Sequence, residues 1–297
     1  MGTIVRSGVV SRRKFLTMAA GIPAAISSVG SAAVFLPLGD SGGKIPVGLE
    51  LYSVREELKR DPMGTVRAVA KMGYQCVEFY APYFDWTEAQ TKDMRKLLDD
   101  LGVKCYSTHN SAAYFNSDKL SRARDMNLTL GCKYMVMASS EPKTTLDEWR
   151  KLGDSLNSIA EHLEASGLRP GYHNHQPEFT PLEGKLPLEI LAESTKPTVM
   201  LQLDVGTCIA AGADPVAWVR AHPGRVRSIH CKDWAPGTDK GYQVLFGEGV
   251  ADWKGIFAAA EHGGGVEYYL VEQEGSRFSE LDTASKCFEA FRRTHPA

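Results

Sequence analysis

The chain has 297 residues, 43% hydrophobic and 24% charged, with a formal net charge of -2 and a pI near 6.5. That is ordinary for a globular protein, and it leaves no electrostatic footprint for nucleic acid or an acidic surface. Six cysteines (Cys76, Cys105, Cys132, Cys208, Cys231, Cys287) stand apart with no C-x-x-C pair, so zinc-knuckle spacing is excluded and buried thiols are expected.

The N-terminus carries a twin-arginine sequence, Ser11-Arg12-Arg13-Lys14-Phe15-Leu16, followed by a mildly apolar run from Thr17 to Leu38. Small residues Ser31-Ala32-Ala33 offer a cleavage region. This pattern predicts an export signal over residues 1–40, with the twin-arginine export machinery as partner and the periplasm as destination. An uncleaved membrane anchor fits less well, because the Gly, Ser and Pro content of the run makes a poor spanning helix. The folded part is expected over residues 41–297.

From there apolar periods of two and about 3.6 alternate, with glycine at many helix exits. Strands are predicted at 45–52, 75–80, 103–109, 133–138, 168–175, 198–205, 226–232 and 266–272. Helices are predicted at 63–72, 87–101, 118–130, 145–166, 187–194, 214–221, 253–262 and 281–293. Eight strands and eight helices in about 250 residues match an α/β fold of the (β/α)₈ TIM barrel kind, in one domain. A doubly wound sheet would carry a glycine-rich turn after strand one, whereas Tyr52-Ser53-Val54-Arg55-Glu56 has no glycine.

Barrel active sites lie at the C-terminal strand ends, where alternate residues point inward. By parity His173 and His175 share a face, as do Gln202 and Asp204, then Ser228, His230 and Lys232, then Leu270, Glu272 and Glu274. Glu50, Glu78 and His109 end or nearly end the first three strands. Singly, each has a structural explanation: Asp204 can cap a helix at Val205-Gly206-Thr207, and Glu78 or Lys232 can sit in an ion pair. Together they form a ring of charge that needs mutual neutralisation or a cation. Asp204, His230 and Glu272 with a strand-five histidine make a mixed N/O set suited to Mn²⁺, Zn²⁺, Co²⁺ or Fe²⁺ better than to Ca²⁺.

The phrases Leu49-Glu50-Leu51-Tyr52-Ser53-Val54-Arg55, Tyr172-His173-Asn174-His175, Leu203-Asp204-Val205-Gly206, Ile229-His230-Cys231-Lys232-Asp233 and Val271-Glu272-Gln273 resemble the sugar phosphate isomerase/epimerase family. So does Phe246-Gly247-Glu248-Gly249-Val250-Ala251-Asp252-Trp253. The resemblance runs from about Ile45 to the end and places the chain near xylose isomerase-like barrels, inosose dehydratases, ketose 3-epimerases and 3-dehydroshikimate dehydratases. It implies a divalent metal held from strands five to eight. Asp204, His230 and Glu272 match the last three ligands. His173 stands where many relatives have glutamate, and His175 falls where relatives place a substrate-contacting histidine. Glu178 is a less favoured replacement ligand, held back by Pro177.

The chemistry this implies is proton abstraction beside a carbonyl, with Glu272 or His175 as base and Lys232 handling substrate oxygens. Glu50, Glu78, His109, Trp86 and Glu248 are the remaining candidate substrate-binding residues; Trp86, with Tyr83 and Phe84, would stack on a sugar face or form a lid. Export, and the lack of a basic phosphate cluster, point to a non-phosphorylated sugar, keto-sugar or cyclitol. Isomerisation or epimerisation is expected, with a keto-sugar or inosose lyase as alternative and a periplasmic carbohydrate-binding protein as the non-enzymatic one. A DNA-repair nuclease is disfavoured by charge and ligand count. Barrels of this kind often pair, so a homodimer is a further assembly to test for.

Overall fold

The computed structural model describes residues 45–295; the predicted export signal lies outside the described residues. Eight parallel strands close on themselves in sequence order: β1 (Val47–Glu50), β2 (Cys76–Phe79), β3 (Lys104–Ser111), β4 (Tyr134–Ser139), β5 (Arg169–His173), β6 (Met200–Asp204), β7 (Val226–Cys231) and β8 (Tyr268–Val271). β1 pairs with β8, so no edge is left open.

Among the described residues ten α-helices surround the barrel, two more than predicted. They are α1 (Arg55–Arg60), α2 (Pro62–Met72), α3 (Glu88–Leu101), α4 (Ser117–Leu130), α5 (Leu146–Leu163), α6 (Pro187–Ser194), α7 (Val205–Ala210), α8 (Pro215–Ala221), α9 (Trp253–Ala259) and α10 (Glu280–Thr294). The two that sequence periodicity does not reveal, α1 and α7, have six residues each, too few to show a helical stripe. α7 starts because Asp204 Oδ1 accepts the Thr207 N–H at 2.9 Å, the N-cap arrangement. Its neighbour Gly206 sits in a crowded place: a Cβ there would lie 3.0 Å from Lys232 O.

Two layers fill the barrel. Outward residues such as Val77, Leu203, Ile229 and Tyr269 join the helices in one apolar core. Inward, the N-terminal half packs Cys76, Tyr134, Val136, Met200, Tyr268 and Leu270 as a second cluster. Glycine makes room for it: a Cβ on Gly48 would lie 2.5 Å from Cys76 Sγ, and one on Gly171 would lie 3.2 Å from Val136 Cγ2. β3 departs from plain alternation opposite Val77 and Phe79. Tyr106, against Tyr268, Ser107, against Glu78, and His109, against Gln202, all reach the interior.

Candidate active site

Two residues further along the same strands the interior changes character. Glu50, Glu78, His109, His173, Gln202, Asp204, His230, Lys232 and Glu272 converge, and all are buried. Gln202 with Asp204, and His230 with Lys232, lie on shared strand faces as parity requires.

His230 is at the centre. Its Nδ1 lies 2.6 Å from Glu272 Oε2 and its Nε2 2.9 Å from Glu78 Oε2. Burial opposes protonation, but hydrogen bonds to Glu272 and Glu78 outweigh it and push the imidazole up to about 10. Glu78 is the floor. It also accepts from Ser107 Oγ and, at 3.1 Å, from Gln202 Nε2, and His109 Nε2 stands 3.2 Å away. With 0% exposure it presents its carboxylate to its neighbours in the group. Gln202, recognised by parity but given no role, joins the wall: its Oε1 takes contacts from His109 Nε2 at 2.6 Å and His173 Nδ1 at 3.0 Å.

Lys232, 1% exposed, reaches the same region from above. Its Nζ lies 2.6 Å from Asp204 Oδ2, 3.3 Å from Glu272 Oε1 and 2.8 Å from Glu274 Oε1. The Asp204 contact is ionic and off the hydrogen-bond direction, so Oδ2 remains without a hydrogen bond. Burial works against the ammonium, but Asp204 and Glu272 hold its pKa well up. Burial likewise pushes Glu272 up, and Lys232 and His230 overcome that and hold it low. His173 is pushed well down by burial and by His230 and His109, which leaves it neutral at pH 7. Burial raises Glu50 well above the ordinary carboxylate range, with Glu272 adding to it. Glu50 Oε2 accepts the Tyr52 N–H at 2.8 Å, while Oε1 has no partner.

His173, Asp204, His230 and Glu272 offer one donor atom each, all within 4.8 Å of one another. The donor set fits a divalent cation on charge as well. Its two carboxylates offset a divalent charge, and Asp204 Oδ2 is buried without a hydrogen bond.

Not every candidate joins this group. The half-buried His175 ring stands 5.1 Å from that of His173, at the rim. Glu178 accepts from Tyr172 OH at 2.6 Å and from the His175 N–H at 2.9 Å; its carboxylate ties down the loop after β5 instead of replacing a ligand. Trp86 packs edge-on against Phe79 at 5.1 Å, on the outward side of β2, and so is not a stacking platform over the barrel. Glu248 forks with Arg277 at 2.9 and 2.7 Å on the surface. Tyr242 escaped sequence reasoning because its long loop has no period; Lys232 Nζ lies 5.2 Å from its ring centre and its buried OH has no partner.

The loop phrases have a structural explanation. Asp233 accepts the N–H groups of Trp234, Gly247 and Gly249 at 2.9, 2.9 and 3.1 Å, and Trp253 Nε1–H at 2.9 Å. A Cβ at Gly249 would sit 2.0 Å from Asp233 Oδ1, so only glycine allows this approach.

Residues 66–293 match the model of the xylose isomerase-like TIM barrel family. An inosose dehydratase of Geobacillus thermodenitrificans is 24% identical over 62% of this chain and 74% of its own. That of Lacticaseibacillus casei is 25% identical over 51% of this chain, which spans 60% of the relative's length. Among solved structures, a sugar phosphate isomerase/epimerase from Parabacteroides distasonis superposes with a TM-score of 0.72 at 25% identity, covering 86% of this chain and 96% of that one. The IOLI protein, solved with a bound zinc atom, shares the fold at TM-score 0.64 and 18% identity, covering 84% of this chain and 96% of its own.

Proposed function

The chain belongs to the xylose isomerase-like TIM barrel family, and on that premise we propose a metal-dependent sugar isomerase or epimerase working through an enediolate. The proposed substrate is a non-phosphorylated sugar, keto-sugar or cyclitol. The carrying observation is the buried donor set: His173, Asp204, His230 and Glu272 bring two imidazoles and two carboxylates within 4.8 Å of one another, a set that suits a divalent cation. His173, Asp204, His230 and Glu272 would hold that cation. When bound it would polarise a substrate carbonyl as a Lewis acid.

The chain's own groups supply the proton chemistry. Glu272, kept ionised by Lys232 and His230, takes the proton beside the carbonyl. Lys232, kept protonated by Asp204 and Glu272, donates to the oxygen on which negative charge grows. His175 at the rim returns a proton to the neighbouring carbon or the opposite face. Export through the twin-arginine route to the periplasm, proposed from Arg12 and Arg13, agrees with an unphosphorylated substrate.

The inosose dehydratases among the relatives favour a second reading, in which the same enediolate expels a β-hydroxyl. Incubation with keto-sugars and inosose in D₂O tests both. Deuterium in recovered or isomerised sugar is expected; an unsaturated product moves the assignment to the lyase. No exchange from wild type, with metal content equal to that of Asp204→Asn and His230→Ala, rejects both.

A further inference from the structure

Beside the buried group lies a cavity of about 660 Å³, lined among others by Pro142, Trp149, His175, Pro181, Leu182 and Pro187. It opens over the C-terminal ends of β4 and β5, and His175 is shared: its ring faces His173 on one side and lines the cavity on the other. The volume falls within the roughly 300–1,000 Å³ of pockets that enclose multi-ring ligands.

The walls are built. Tyr172 OH, bonded to Glu178 Oε1 at 2.6 Å and 3.2 Å from Ser140 Oγ, ties the β4 side to the β5 side. Leu182 is presented by a tight turn in which Glu183 has φ 49° and Gly184 φ 79°, closed by pairing of Leu182 with Lys185. Glu183 Oε1 accepts the Leu146 N–H at 3.3 Å and anchors that turn to α5. Trp149, 4% exposed, has a buried Nε1–H without an acceptor. Trp149 backs this wall, with Lys143 Nζ 5.6 Å from its ring centre, and the flat faces of Pro142, Pro181 and Pro187 suit an apolar ring.

We propose that the substrate is a glycoside: its sugar unit lies at the buried group and its aglycone, presenting a flat apolar face, lies in this cavity past His175. This rests on the reading of the buried group as a sugar site. A free 3-keto-hexose and its phenyl glycoside test it by calorimetry, alongside solvent deuterium exchange. Thr180→Trp and Glu141→Trp, exposed positions on opposite walls, fill the cavity without touching the buried charges; circular dichroism checks their folding.

The wild type is expected to bind the phenyl glycoside at least tenfold more tightly than the free sugar. Both variants are expected to lose that advantage and keep the affinity for the free sugar. Equal affinities in the wild type, or an advantage that survives both variants, overturns the proposal. Equal affinities with deuterium exchange leave the enolising site standing alone. Preferential binding without exchange upholds the cavity and removes the chemistry. If neither probe binds, both fall.

Discussion

The two halves of the barrel interior use the same strands and the same side-chain parity to opposite ends. On β2, Cys76 lies in the apolar layer and Glu78 in the charged one; on β8, Tyr268 and Leu270 precede Glu272; on β6, Met200 precedes Gln202 and Asp204. A step of two residues, about 6.6 Å along a strand, takes the chain from packing that needs no partner to charges that survive only through one another. Stability is concentrated in the lower layer and chemistry in the upper, because an ion pair withdrawn from water returns little net stabilisation while an apolar contact returns its full burial.

The sharpest way to break that division is Glu272→Gln. It is expected to lower enediolate formation, read as deuterium uptake, by about 10²–10⁴-fold and, because it removes the carboxylate that pairs with His230 and Lys232, to lower the melting temperature as well; a full-rate variant removes Glu272 as base. Lys232→Met tests whether the upper layer is held by compensation. It strands Asp204 and Glu272, and a loss of about 3–5 kcal/mol in urea unfolding is expected, recovered in part by added Mn²⁺. A variant as stable as wild type without metal would show that the carboxylates do not need the ammonium. Leu270→Ala in the lower layer is expected to cost about 2–5 kcal/mol through an unfilled cavity yet keep kcat at 25 °C; a large loss of kcat would show that the layers are coupled.

The smallest effect lies outside the barrel, at Cys287 on α10. Burial raises its thiol from 9.0 to about 11. A raised pKa stabilises the fold fully below pH 9, and that contribution is lost as pH rises through 11. Cys287→Ala should flatten the fall in stability between those values, by at most about 1.4 kcal/mol per pH unit. An unchanged slope would point to the buried tyrosines instead.

What was legible in the sequence follows the same line between strand and loop. Strand parity is rigid, so the shared faces of Gln202 with Asp204 and of His230 with Lys232, and the strand-end places of His173 and Glu272, are legible in the sequence. Loop residues obey no period. Trp86 turns back onto Phe79, Glu248 finds Arg277, and Tyr242 arrives over Lys232 for reasons that involve distant parts of the chain. The contacts of Glu78 with Ser107 and His109 are not legible in the sequence, because they depend on the irregularity of β3. The short helices α1 and α7 were invisible because capping starts them, with no apolar stripe to betray them.

Asp233 has a mechanical consequence. Its carboxylate gathers donors from both ends of the segment between β7 and α9, and it is the residue next to Lys232. That side of the mouth is therefore riveted to the end of β7 that leads into Lys232. The shape of the opening on that side is set by one carboxylate and the glycine that lets a backbone come within its reach.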